Sequence, residues 1–131
     1  MKDISQRVWA RACESLDDAT ANEREGRYLV TVNRSYYAAF YALTALLYEK
    51  DQLNTKSHSG AHAKFRELYV KTGLLPVDVS LWLDKTWQLR QVGDYDFEDV
   101  VTAEEAAQAL DCARLFIAAV AAYLQTKSNA V

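Results

Sequence analysis

The chain has 131 residues, with 15 Lys and Arg against 18 Asp and Glu and a formal net charge of −3. Gly (4) and Pro (1) are scarce where an average chain of this length carries about 16; an all-β sandwich or barrel, which turns about every 8 to 12 residues, is thereby excluded. The negative balance argues against a surface coated in basic charge for indiscriminate nucleic-acid binding, and no DNA partner is expected, while a local basic site stays open.

The length fits one domain over residues 1–131, able to bury a core without disulfides or a structural metal. Cys13 and Cys112 belong to no Cys or His cluster, and two small buried thiols suit a reducing, cytoplasmic setting. Met1 to Arg7 lacks the apolar run of a secretory signal. The uncharged stretch Ser35 to Tyr48 is too short to span a bilayer and is read as a buried core helix, so no membrane association is expected.

In chain order, the first helix is expected at about Ile4 to Ala21, with Val8 or Trp9, Ala12, Leu16 and Ala19 at helical spacing. The second, about Arg27 to Lys50, carries one stripe of Tyr28, Val32, Tyr36, Ala39, Phe40, Leu43 and Leu47 and another of Leu29, Tyr37, Tyr41 and Tyr48. A helix apolar over so much of its circumference must be surrounded by others. Ser57 or Ser59 could cap a third helix reaching about Thr72, with Gly73 as its left-handed end. Pro76 suits the first turn of a fourth, whose Val79, Trp82, Thr86 and Leu89 face inward, and Gly93 is expected to end it. Thr102 with Glu105 forms a capping box for the last helix, where Ala106, Leu110, Ala113, Ile117, Val120 and Leu124 make the most regular stripe in the chain. About five helices with short connections predict an all-α, up-and-down antiparallel bundle.

Three stretches are unusual for a plain bundle. In Asn33-Arg34-Ser35-Tyr36-Tyr37, Arg34 lies one turn before Tyr37 on an otherwise apolar helix, and its donors need partners. These could be a carboxylate such as Asp94 or Asp96, or an anionic ligand. In Lys56-Ser57-His58-Ser59-Gly60-Ala61-His62 the histidines stand four apart, but no acid accompanies them, so no metal is assigned. Helix-start N–H groups together with Lys56, Ser57, His58 and Ser59 could instead receive a phosphate, and a plain serine cap with surface histidines is the alternative. Third, Leu83, Trp87, Arg90 and Asp94 share one side of the fourth helix, presenting Arg90 to a turn that holds Asp94, Tyr95 and Asp96. That cluster reads either as an anion site or as a self-neutralising ion-pair knot. Charge is uneven as well: residues 56–71 hold Lys56, Lys64, Arg66 and Lys71 against Glu67, whereas residues 84–105 hold seven acids against Lys85 and Arg90.

Taken in order, NRSYYAAFYAL, K-S-H-S-G, VKTGLL, LRQVGDYD and a helix opening T-A-E-E-A resemble the HEPN-domain family, in particular short stand-alone members with an R-Q-x-x-D-Y-D signature. The resemblance covers roughly residues 8 to 126. It implies a HEPN-like bundle, a homodimer formed through the signature helices, and no cofactor. It also implies metal-independent RNA cleavage at an R-x4-6-H motif, in which a ribose 2′-hydroxyl attacks the adjacent phosphate, arginine stabilises the charge on phosphorus and histidine moves protons. Arg90 matches the arginine. Tyr95, Asp96 and Phe97 occupy the places of the histidine, and a phenol with a pKa of about 10 is a poor base. Asp94 or Asp96 could act as base, or His58 could enter the cleft as the missing imidazole. A minimal nucleotidyltransferase partner is implied too, with Tyr95 the matching candidate for adenylylation. Two readings stand together: a toxin that cleaves RNA, with Arg90, His58, Asp94, Tyr95 and Asp96 catalytic and Arg34, Lys56, Ser57, Ser59 and Tyr37 binding phosphate or nucleotide; or a degenerate module that binds a nucleotide or a partner protein without cleavage.

Overall fold

The computed structural model describes residues 1–52 and 57–129. They form the expected helices: α1 (Asp3–Arg24), α2 (Tyr28–Glu49), α3 (His58–Phe65), α4 (Asp78–Tyr95) and α5 (Ala103–Asn129), with no strand among them. Helix α3 runs on into a single π-helical turn, Arg66–Val70, closed by the Lys71 N–H on the Arg66 carbonyl at 2.9 Å.

The doubly apolar α2 is the centre of the bundle, with half of its 22 residues buried, and it packs against each of the other four helices. Its most extensive partner is α1, which buries only small side chains, Ser5, Ala12, Ser15 and Ala19. Helix α2 likewise buries Ala38, Ala42 and Ala45, side chains small enough to let a neighbouring backbone approach closely. The larger side chains fill the remaining seams: Leu43, Leu46 and Tyr36 from α2, Phe65 from α3, Leu83 from α4, and Phe116 and Val120 from α5. In α5 the predicted stripe is buried at Ala106, Leu110, Ala113, Ile117 and Val120. Cys13 and Cys112 are free and half-buried.

Helix ends follow local chemistry. Gly26 sits at φ 74 after α1, where Arg27 N–H reaches the Asn22 carbonyl (2.9 Å) and Gly26 N–H that of Glu23 (3.0 Å), a Schellman arrangement. It closes a three-residue connection that turns α2 back along α1. Ser57 caps α3, accepting the Gly60 N–H at 3.0 Å. The capping box forms as read: Glu105 N–H donates to Thr102 Oγ1 (3.1 Å), and Thr102 N–H to Glu105 Oε1 (3.0 Å). Two expectations are corrected. Pro76 precedes the turn that leads into α4 at Asp78, outside the helix. Gly93 does not end α4, which continues to Tyr95. A Cβ there would lie 3.1 Å from Leu29 Cδ1 and 3.4 Å from Val101 Cγ2, so its smallness serves close packing.

Candidate functional site

Three helices meet around Tyr36. Tyr36 and Tyr37 are consecutive on α2, so their rings leave on neighbouring faces, Tyr36 fully buried and Tyr37 half-buried. His58 and His62, one turn apart on α3, share a face. Both turn a ring nitrogen onto Tyr36: His58 Nδ1 lies 2.6 Å and His62 Nε2 2.9 Å from its hydroxyl. From α4, Trp87 and Arg90 complete the cluster. The His58 ring is sandwiched between Phe40 (centroids 4.4 Å apart) and Trp87 (5.3 Å), nearly parallel to both. The Arg90 guanidinium stands over Tyr36, Tyr37 and Trp87, 5.5–5.7 Å from each ring centre. His58 and Arg90 thus share one aromatic platform, although 32 positions in sequence separate them (90 − 58).

Electrostatics follow from this geometry. The Arg90 side chain is only 15% exposed, and its charge is met by Asp94, one turn on, whose Oδ2 lies 2.9 Å from Nε. The contact is a charge pair without a directed hydrogen bond, because the Nε proton is not aimed at the carboxylate and Nε has no hydrogen-bond partner. Nη2 reaches Tyr37 Oη at a long 3.4 Å. Such cation–ring contacts contribute about 0.5–2 kcal/mol each and help offset the cost of burying a guanidinium. Burial, and secondly the Arg90 charge, lower the pKa of His58. Burial, then Arg66 and His58, push that of His62 down to about 4. Burial, reinforced by Tyr37 and opposed by Arg90, raises that of Tyr36. At neutral pH the three groups are an uncharged imidazole–phenol–imidazole chain.

Arg34 departs from the carboxylate pairing considered for it. Its guanidinium donates to Asn33 Oδ1 (2.7 and 3.0 Å) and stands 5.1 Å from the Tyr37 ring centre. Among the described residues no carboxylate pairs with it. Two guanidiniums therefore flank Tyr37, one paired and one not. The structure gathers His58, Arg90, Asp94, Tyr37 and Arg34 and leaves other candidates apart. Tyr95 is 71% exposed. Asp96 accepts the N–H groups of Glu98 and Asp99, so its carboxylate organises the following turn. Ser57 is occupied as a cap, Ser59 is exposed 3.4 Å from it, and Lys56 lies outside the described residues. Tyr36, Phe40 and His62 belong to the cluster although sequence reasoning placed them in apolar stripes or on the surface, and Trp87, which the sequence sets on the same side of α4 as Arg90, joins it there. No group of three metal-ligating side chains gathers among the described residues. A hollow of about 250 Å³ between Val32, Leu89, Gly93 and Thr102 is lined by none of the residues of this cluster.

Comparison with known proteins agrees with this architecture. A family model described as the HEPN domain matches residues 5–123. "Putative toxin MJ0142" of Methanocaldococcus jannaschii is 34% identical over 101 residues, covering 77% of this chain and 68% of that protein. "Putative toxin MJ0605" of the same organism is 33% identical over 119 residues, 88% of this chain and 87% of that one. A "UPF0332 protein" of Thermotoga maritima is 40% identical over 85 residues, and the match spans 64% of it, just under two thirds.

Proposed function

The chain belongs to the HEPN-domain family, and from that premise we propose that it is a toxin-like member whose Arg90 and His58 face one RNA phosphate. The observation that carries this reading is their convergence on the Tyr36–Trp87 platform, which supplies from α3 an imidazole that positions 95 to 97 lack. In the reaction the ribose 2′-oxygen attacks phosphorus, the bond to the 5′-oxygen breaks, and the 2′-hydroxyl proton passes to a neighbouring base, His58 or Asp94, while the departing 5′-oxygen takes its proton from solvent water. Arg90, with the unpaired Arg34 nearby, meets the negative charge that builds on the phosphate. Relatives named as toxins support the same direction.

One observation favours the second reading, a module that binds without cleaving: Asp94 already pairs with Arg90. Induced expression in cells separates the two. Wild type is expected to arrest growth and Arg90→Ala to release it; growth unaffected by either favours the binding module. Homodimerisation belongs to this proposal. Its natural surface is the apolar group Leu29, Val92, Tyr95, Phe97 and Val100, which are 45–92% exposed around the end of α4. A minimal nucleotidyltransferase partner belongs to it too, with the exposed Tyr95 hydroxyl as acceptor. Intact mass after incubation with such a partner and ATP is expected to rise by one adenylyl group, and Tyr95→Phe to abolish the gain.

A further inference from the structure

The chain of contacts through Tyr36 decides what His58 can offer a substrate. A phenol owns one proton, so only one of its two imidazole contacts is O–H···N; the other must be N–H···O. The contact with His58 Nδ1, 2.6 Å, has the length typical of a hydroxyl donor, and the contact with His62 Nε2, 2.9 Å, that of a nitrogen donor. Tyr36 therefore donates to His58 Nδ1 and accepts from His62 Nε2–H. A neutral imidazole that accepts at Nδ1 carries its proton on Nε2.

Resting on the phosphate-site reading above, we infer that Tyr36 is a positioning residue that locks His58 as its Nε2–H tautomer, so that a bound phosphate meets an uncharged N–H donor. The flat stack between Phe40 and Trp87 fixes the ring plane, and the Tyr36 bond fixes rotation within it. Protonating His58 would place a hydrogen on Nδ1 facing a phenol whose lone pair already serves His62, leaving the Tyr36 proton without an acceptor. The groups facing His58 are Tyr36 and Tyr37 from α2, neutral His62 from α3, and Arg90 from α4, whose charge, after burial, disfavours the imidazolium. None is an anion, and Asp94 is engaged by Arg90. The site is accordingly a set of donors, His58 Nε2–H with the guanidiniums of Arg90 and Arg34, beside one carboxylate.

Nitrogen-15 NMR of the histidine rings in the full chain tests this without any substrate, with His58→Gln and His62→Gln used to assign the signals. At pH 7 both rings are expected to be neutral and protonated on Nε2. In Tyr36→Phe, which removes only a hydroxyl, His58 is expected to show mixed tautomers and to take up its second proton at higher pH, toward the ordinary value of about 6.5. A wild-type His58 protonated on Nδ1, or a Tyr36→Phe spectrum unchanged in tautomer and titration, overturns the inference. Should Tyr36→Phe not fold, the wild-type spectrum alone decides. The rate of RNA cleavage is a separate arm: Tyr36→Phe is expected to cleave about tenfold more slowly. If wild type leaves RNA intact while the spectrum is as expected, the cleavage reading fails and the tautomer lock stands.

Discussion

His62 sits in the core with its ring against a phenol, and its pKa is held at about 4. The unfolded chain binds that proton at about 6.5. Between those values the unfolded state carries more protons than the native one, so stability is complete above about pH 6.5 and falls as pH drops toward 4. The span corresponds to a loss on the order of 3 kcal/mol. Urea unfolding at pH 7 and pH 4.5 is expected to show this loss in wild type and a smaller one in His62→Gln, and equal losses would contradict the burial argument. Arg90, His58 and Asp94 were legible in the sequence because each stands in a polar motif, at the start of α3 or the end of α4. Tyr36 and Phe40 were not, because an aromatic residue at helical spacing reads as core, and here the same side chains are both core and platform. The His58/His62 spacing predicted a shared face correctly; what that face meets, a single hydroxyl from α2, is a long-range fact that spacing does not contain.

Breaks and caps belong to the scale of the element. Gly26 and Gly73 hold positive φ, 74 and 76, so an alanine at either is expected to cost about 1 kcal/mol or more in thermal or urea unfolding. Gly93 is helical, and the nearest obstacle to a Cβ is the flexible end of Leu29. Gly93→Ala is expected to be neutral or to stabilise by up to about 1 kcal/mol through helix propensity; a large loss there would mean that Leu29 cannot yield. Reading Gly93 as a stop followed from its place before an acidic loop, and only the contact with α2 and Val101 shows why it is small. The capping box was fully readable, since its partners are three residues apart. Thr102→Ala is expected to cost about 1 kcal/mol by frayed α5 and lower unfolding midpoint.

For the whole molecule, composition excluded an all-β fold and periodicity placed all five helices, because each needs only local information. Helix α5 shows where that information runs out. Its mean hydropathy of 1.4 over an 18-residue window would suffice for a membrane span by length and composition, yet its stripe fills the bundle while Gln108, Asp111, Arg114 and Gln125 lie on its exposed side. Phe116→Ala is expected to remove about 3–5 kcal/mol from a total of about 5–15, measurable by urea unfolding. At the end of α4, Phe97 is 92% exposed; sedimentation is expected to give a dimer for wild type and a monomer for Phe97→Asp, and unchanged mass would remove this face from the assembly.

The central claim, that α3 and α4 bring one imidazole and one guanidinium to the same phosphate, is tested most directly by incubating the purified protein with a labelled RNA oligonucleotide in a metal chelator. The account predicts fragments ending in a 2′,3′-cyclic phosphate, their formation slowed by about 100-fold or more in Arg90→Ala and clearly slowed in His58→Ala, and none from a strand carrying 2′-deoxyribose at the cut site. RNA left intact by wild type, or cleaved equally well by the folded His58→Ala variant, would contradict it.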